Sequence, residues 1–273
     1  KTSLTAIFLA PVETSKRSPK DKRILEFVQG SESVAVAELR KRFGQVRGNL
    51  KRLEELGGIQ LEERRIMRDP SGMLFSVGSE PDVPPPLTPE QVPAVAAIEA
   101  GVRGGEGRFL LHGVTGSGKT EVYLRAIATA LEMGKGSIVL VPEIALTPQL
   151  AGRFQRRFGS SIALLHSGLK PGEKLDQWTE IAEGRRRVVV GARSAIFAPV
   201  SNLGLIVVDE EHEASFKQEN KPRYHARDLA MVRGAQEGAA VVVGSATPSM
   251  ETLANGEKGR FQVLRMESRV LDR

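Results

Sequence analysis

Apolar residues in the first third of the chain recur at helical spacing, whereas those further on run together in short blocks. In SPKDKRILEFVQG, Ile24, Leu25, Phe27 and Val28 form one apolar face behind Ser18 as N-cap and Pro19, and Gly30 ends the run. The stretches VAVAELRKRFG and QVRGNLKRLEELGG repeat the pattern, each closed by glycine. IQLEERRIM and MLFSV then flank RDPSG as two short strands around a turn. Three helices and a hairpin predict a winged helix over residues 18–79. Its third helix is expected to turn Arg47, Asn49, Lys51 and Arg52 outward, as a helix that reads duplex DNA does. The same charges would also serve as a solvated face on a domain that only positions its neighbours.

Residues 79–91, SEPDVPPPLTPEQ, are rich in proline and lack periodicity, so a linker is expected at 80–86. Beyond it, RFLLH, SIVLVP, IALLH, RVVVG, LGLIVVD and AAVVVGS are apolar blocks separated by helical stretches. That alternation predicts an α/β fold over residues 87–273, a parallel sheet with helices on both faces. Functional residues are expected at the C-terminal ends of its strands.

Composition narrows the class. With 273 residues, 40% of them hydrophobic and 26% charged, the chain can bury one large or two modest cores and is not of disordered type. Cysteine is absent, which excludes disulfides and zinc–thiolate sites here and fits a reducing compartment. No apolar run reaches the roughly 18–20 residues of a membrane span, and KTSLTAIFLAPVE carries an acid too early for a secretory signal. A cytoplasmic protein without membrane partners is expected. Because the chain opens on Lys1, a fragment of a longer protein is expected too. The net charge of +6 sits at the front: residues 1–79 hold 15 Lys/Arg against 10 Asp/Glu, and the remainder 24 against 23. Such a block favours phosphate backbones through counterion release, although an ordinary solvated surface has the same imbalance.

The sharpest chemical signal is HGVTGSGKTE, residues 112–121, between RFLLH and the helix opening at TEVYLRAIATALEMG. Gly113, Gly118, Lys119 and Thr120 match G-x-x-x-x-G-K-[ST] in strand–loop–helix context, a cradle for phosphates. Glycines let backbone N–H groups approach the anion, Lys119 reaches the β and γ phosphates, and the Thr120 hydroxyl takes Mg²⁺. LIVVDEEH supplies the partner: Asp209 ends an apolar strand, where a carboxylate holds the Mg²⁺ shell, and Glu210 beside it can polarise the attacking water.

DEEH together with GSATPS, residues 244–249, resembles motifs II and III of superfamily-2 helicases. LTPEQ, GVTGSGKTEVYL, LVPEIALTPQL, LLHSGL, VVVGARSAIFAPVSNLGLIVVDEEHEASFKQENKPRYHARD and VVVGSATPS resemble, more closely, the PriA family of bacterial primosomal replication-restart helicases. They cover nearly all of residues 87–255. The resemblance implies a RecA-like first helicase lobe that binds ATP and Mg²⁺. It implies nucleotide contacts from Gln91, which resembles the adenine-reading glutamine of Q motifs, and from Gly113, Thr115, Gly116, Ser117, Gly118, Lys119, Thr120 and Glu121. Lys119, Asp209, Glu210 and His212 form the implied catalytic set, Thr120 and Asp209 the metal ligands, and Ser245 and Thr247 a relay to the acids.

Single-stranded DNA is implied at Arg193 and Ser194 and on an aromatic-rich loop with Phe216, Lys217, Tyr224, His225 and Arg227. Strand occupancy of that loop is expected to shift His212 and the acids. Ala192 stands where the family is expected to have threonine. The resemblance also places a second lobe and a zinc-binding cysteine-rich insertion outside this sequence. Residues 1–17 are expected to be at most the last strand of a domain that grips a DNA 3′ end. The implied activity is ATP-driven 3′ to 5′ translocation on forked DNA during replication restart, with primosome and single-stranded-DNA-binding proteins as partners and a nucleoid-associated location. A fork-binding scaffold whose nucleotide site does not turn over is the alternative.

Overall fold

Six apolar blocks become parallel strands, and one strand that the pattern does not announce joins them. The structure is a computed structural model describing residues 2–11, 19–31, 33–65 and 83–270. The chain divides into two units, Lys1–Arg68 and Asp69–Arg273.

In the first unit, β1 (Thr2–Phe8) is followed by α1 (Pro19–Ser31), β2 (Ser33–Ala35), α2 (Val36–Phe43), α3 (Arg47–Glu55) and β3 (Ile59–Arg65). Ile24, Val28, Leu39, Leu50, Leu53 and Ile59 fill its core. β1 is the middle strand of an antiparallel sheet ordered β2-β1-β3. This corrects the expectation for residues 1–17: β1 belongs with these helices, because its full length pairs with β3. Asn49 is also corrected, for it turns inward and donates to Asp21 Oδ1 at 2.5 Å. Arg52 reaches the same buried carboxylate at 3.3 Å. Ser18, the RDPSG turn and the MLFSV strand lie outside the described residues.

The second unit contains β4 (Arg108–Gly113), β5 (Gly136–Leu140), β6 (Ile162–Leu165), β7 (Val188–Gly191), β8 (Leu203–Asp209), β9 (Lys217–Gln218), β10 (Tyr224–His225), β11 (Ala240–Ser245) and β12 (Gln262–Met266). Its helices are α4 (Gln91–Gly104), α5 (Lys119–Glu132), α6 (Pro148–Phe158), α7 (Pro171–Ala182), α8 (Ala226–Glu237) and α9 (Met250–Glu257). Seven strands form one parallel sheet ordered β12-β4-β11-β8-β5-β7-β6. Alternate strand residues feed separate cores, one with α4, α5 and α6, the other with α7 and α8, so helices cover both faces. β9 and β10 form a small separate hairpin. Part of the expected linker packs on this unit, since the Pro85 carbonyl accepts from Arg125 at 2.8 Å.

β11 lies between β4 and β8, with Ser245 beside His112 and Gly244 beside Asp209. The loops that leave these three strands therefore meet at one edge of the sheet.

Candidate nucleotide and nucleic-acid sites

The glycine-rich turn after β4 carries positive φ at Gly116 (84°) and Gly118 (85°), which L side chains seldom adopt. Space excludes side chains there as well: a Cβ on Gly118 would collide with the Gln91 amide, and one on Gly113 would stand 2.6 Å from Ser117 Oγ. Lys119 opens α5, is buried, and donates to the Gly113 carbonyl at 2.8 Å. Its Nζ also stands 3.8 Å from Glu210 Oε1. Thr115 and Gly116 are exposed, Thr120 half-buried and Ser117 buried. A cavity of about 640 Å³ joins this turn to Asp209 and Glu210, with Pro85, Pro86, Gln91, Arg153 and Arg156 on its walls.

Asp209 accepts from the Tyr123 hydroxyl at 3.0 Å. Burial, and then the charge of Glu210, raise its carboxyl pKa to about 6, while Tyr123 and Lys119 oppose the rise. Burial chiefly, with Asp209 next, also pushes the Tyr123 hydroxyl well above its ordinary range. Gly244 makes room for this contact, since a Cβ there would overlap the hydroxyl. Glu210 adopts a left-handed φ of 47°, unusual for a residue with a side chain and found at strained functional positions. His212 Nδ1 lies 2.8 Å from Ser245 Oγ and 3.7 Å from Glu210 Oε2, and Ser245 Oγ accepts from the Thr247 N–H at 2.9 Å. The loop after β11 thus touches the acids through His212. The exposed Thr247 joins by its backbone.

Two residues of the expected nucleotide set also make contacts within the protein. Gln91 is buried; its Oε1 and the Thr88 hydroxyl cap each other's backbone N–H groups, and its Nε2 donates to the Ser117 and Gly118 carbonyls at 3.3 and 3.4 Å. The amide holds the phosphate loop in this arrangement. Glu121 lines the same cavity, and its carboxylate binds Arg125 at 3.0 Å and Arg157 at 2.8 Å.

On the nucleic-acid side, Phe216 is corrected from a stacking face to a core residue, 1% exposed. Arg227 is corrected too. Its guanidinium donates to Glu211 and Ser249 at 2.9 Å and to Glu251 at 2.5 Å, and the Glu211 side chain is fully buried. This network ties the third acid of DEEH to the starts of α8 and α9. His225 caps α8, its Nδ1 accepting from the Arg227 N–H at 3.3 Å.

Arg193, expected at the single strand, donates to the Ser215 and Lys217 carbonyls at 3.0 and 2.6 Å and lies 5.9 Å from the Tyr224 ring, so it also holds the aromatic-rich loop. Tyr224 meets the exposed Phe197 edge-on at 5.1 Å. Ser194 and Lys217 are exposed. In the first unit Arg47 is exposed, Lys51 lies 3.9 Å from Glu55, and Arg52 is partly engaged by Asp21.

Sequence reasoning missed Tyr123 and the buried role of Glu211. Tyr123 lies one helical turn beyond Lys119, and that spacing was its available signal. Arg153 and Arg156 had none, because bases on an amphipathic helix read as solvated charge. Among the described residues, no helix is long and apolar enough to cross a membrane and no His/Cys/Asp/Glu group forms a metal-binding cluster.

Residues 88–255 match the DEAD/DEAH box helicase family. The chain is 46% identical over 260 residues to the replication restart protein PriA of Bacillus subtilis (strain 168), covering 94% of this chain and 32% of that protein. Its likeness to the PriA of Chlamydia pneumoniae is 48% over 191 residues, 69% of this chain and 26% of that protein. The structure of RecG bound to a three-way DNA junction superposes with a TM-score of 0.53 at 27% identity, over 70% of this chain and 25% of that one. The chain spans about a third or less of the curated relatives' length. With its phosphate turn, paired acids and seven-stranded parallel sheet, the chain belongs to the DEAD/DEAH box helicase family and is a relative of the PriA replication restart proteins.

Proposed function

We propose that this chain is the nucleotide-binding lobe of an ATP-dependent 3′ to 5′ DNA translocase that works in replication restart. The observation that carries the proposal is the convergence of Lys119, Asp209 and Glu210 on one cavity at the C-terminal edge of the sheet. Phosphates enter against the N–H groups of residues 115–120, and Lys119 exchanges its Gly113 and Glu210 contacts for them. Hard oxygen donors on Thr120 and Asp209 suit Mg²⁺ and would hold it, and the cation would neutralise phosphate charge. Glu210 is the base that orients water and accepts its proton. His212 holds Glu210 in register with Ser245, so movement of the loop after β11 reaches the base.

DNA contacts fall to Arg193, Ser194, Lys217 and Tyr224, with Arg47 and Lys51 of the first unit as duplex contacts. Forked DNA, primosome proteins and single-stranded-DNA-binding proteins belong to the same reading, as does zinc in a region beyond this sequence. ATP hydrolysis by the full-length protein, with and without single-stranded DNA, tests it. Lys119→Ala should abolish a DNA-stimulated rate. A rate that persists in that variant, or DNA binding with no turnover in the unaltered protein, would favour the scaffold alternative.

A further inference from the structure

A second cavity, of about 370 Å³, opens where β5, β6 and β7 end, away from the nucleotide turn. Its walls include Leu165, His166, Trp178, Arg193, Ser194 and Gln218. Trp178 Nε1 and His166 Nε2 are buried and have no hydrogen-bond partner. Leaving such groups unpaired is costly, and buried polar atoms are otherwise almost always satisfied. Arg193 already holds the loop carbonyls of Ser215 and Lys217, whereas Ser194 is exposed.

We propose that this cavity receives one unpaired nucleobase of the bound DNA strand. The inference rests on the strand-binding reading above and adds a base-dependent site to it. A base offers what the walls lack: an apolar face for Leu165 and the indole, and an edge of ring nitrogens and carbonyls for Trp178 Nε1 and His166 Nε2. A phosphate would leave the apolar walls unused, and a paired base has committed much of its edge and cannot enter singly. Ser194 stands at the cavity as a hydroxyl partner for the adjoining backbone.

Trp178 is the single tryptophan of the sequence, so its fluorescence reports on this wall alone. The chain is titrated with short oligothymidylate and with an abasic strand of equal length, following tryptophan emission and the anisotropy of a labelled strand. Oligothymidylate should change the emission and bind roughly tenfold more tightly than the abasic strand. Trp178→Phe, which keeps an aromatic wall and removes the N–H, should lose roughly threefold on oligothymidylate and nothing on the abasic strand. Free thymidine should not compete at concentrations where the oligonucleotide saturates; competition there would identify a free-nucleoside site and overturn the strand assignment. Equal affinities for both strands with unchanged emission would overturn the base pocket while leaving strand binding intact. Failure of both strands to bind would remove the strand-binding reading and this inference with it.

Discussion

Replacing Asp209 with asparagine should make the nucleotide-free protein more stable. The ionised carboxylate is disfavoured by burial and by Glu210, which raise its pKa from 3.8 to about 6. Two pKa units correspond to about 3 kcal/mol, an upper bound for a group that is half-buried at a cavity mouth. The folded protein holds the proton more tightly than the unfolded chain does. Stability from this group is therefore fully present below pH 3.8, falls as pH rises through about 6, and is level above that. Asparagine has no charge to bury, and its Oδ1 can still accept from Tyr123. The variant should gain up to about 3 kcal/mol near neutral pH, with the advantage falling to about half near pH 5. For a unit of this size that gain is a rise of about 6–12 °C in Tm. Urea unfolding of both proteins at several pH values, without nucleotide, measures the difference. A variant no more stable than the parent, or a difference that stays constant from about pH 5 to 8, would refute the electrostatic reasoning.

Arg227→Ala should cost about 3–5 kcal/mol because it strands the fully buried Glu211 carboxylate, whereas Glu251→Ala, at a side chain 77% exposed, should cost under about 1 kcal/mol; comparable urea midpoints for the two would contradict this. Gly244→Ala should lose about 1–3 kcal/mol by pushing the Tyr123 hydroxyl aside, and Tyr123→Phe should recover at least about 1 kcal/mol of it in a double-mutant cycle. Phe216→Ala should destabilise by about 3–5 kcal/mol through a core cavity, while Lys217→Ala leaves thermal stability unchanged and weakens single-strand binding in anisotropy titrations.

Continuous apolar runs such as VVV at 188–190 and 241–243 were legible because a parallel strand is buried on both faces. β12 was not, because Gln262 and Arg265 interrupt an edge strand that is only partly buried. The phosphate turn is local and could be read from spacing alone. The facing direction of a loop residue is not local. Phe216 and Arg227 lie among loop residues that do reach solvent, and only the packed structure turns one into the core and the other onto Glu211. The Tyr123–Asp209 contact joins residues 86 positions apart and depends on the strand order that sets β8 two strands from β4.

The stretch after β12 runs back across the phosphate turn: Val114 donates to the Met266 carbonyl at 3.1 Å, Val270 to that of Gly116 at 3.0 Å, and the Ser268 hydroxyl to Glu90 at 2.8 Å. Two backbone tethers thus stitch this segment to the glycine-rich turn. A dye or spin label at position 268 would sit beside the entrance and sense nucleotide loading without any change to the loop itself.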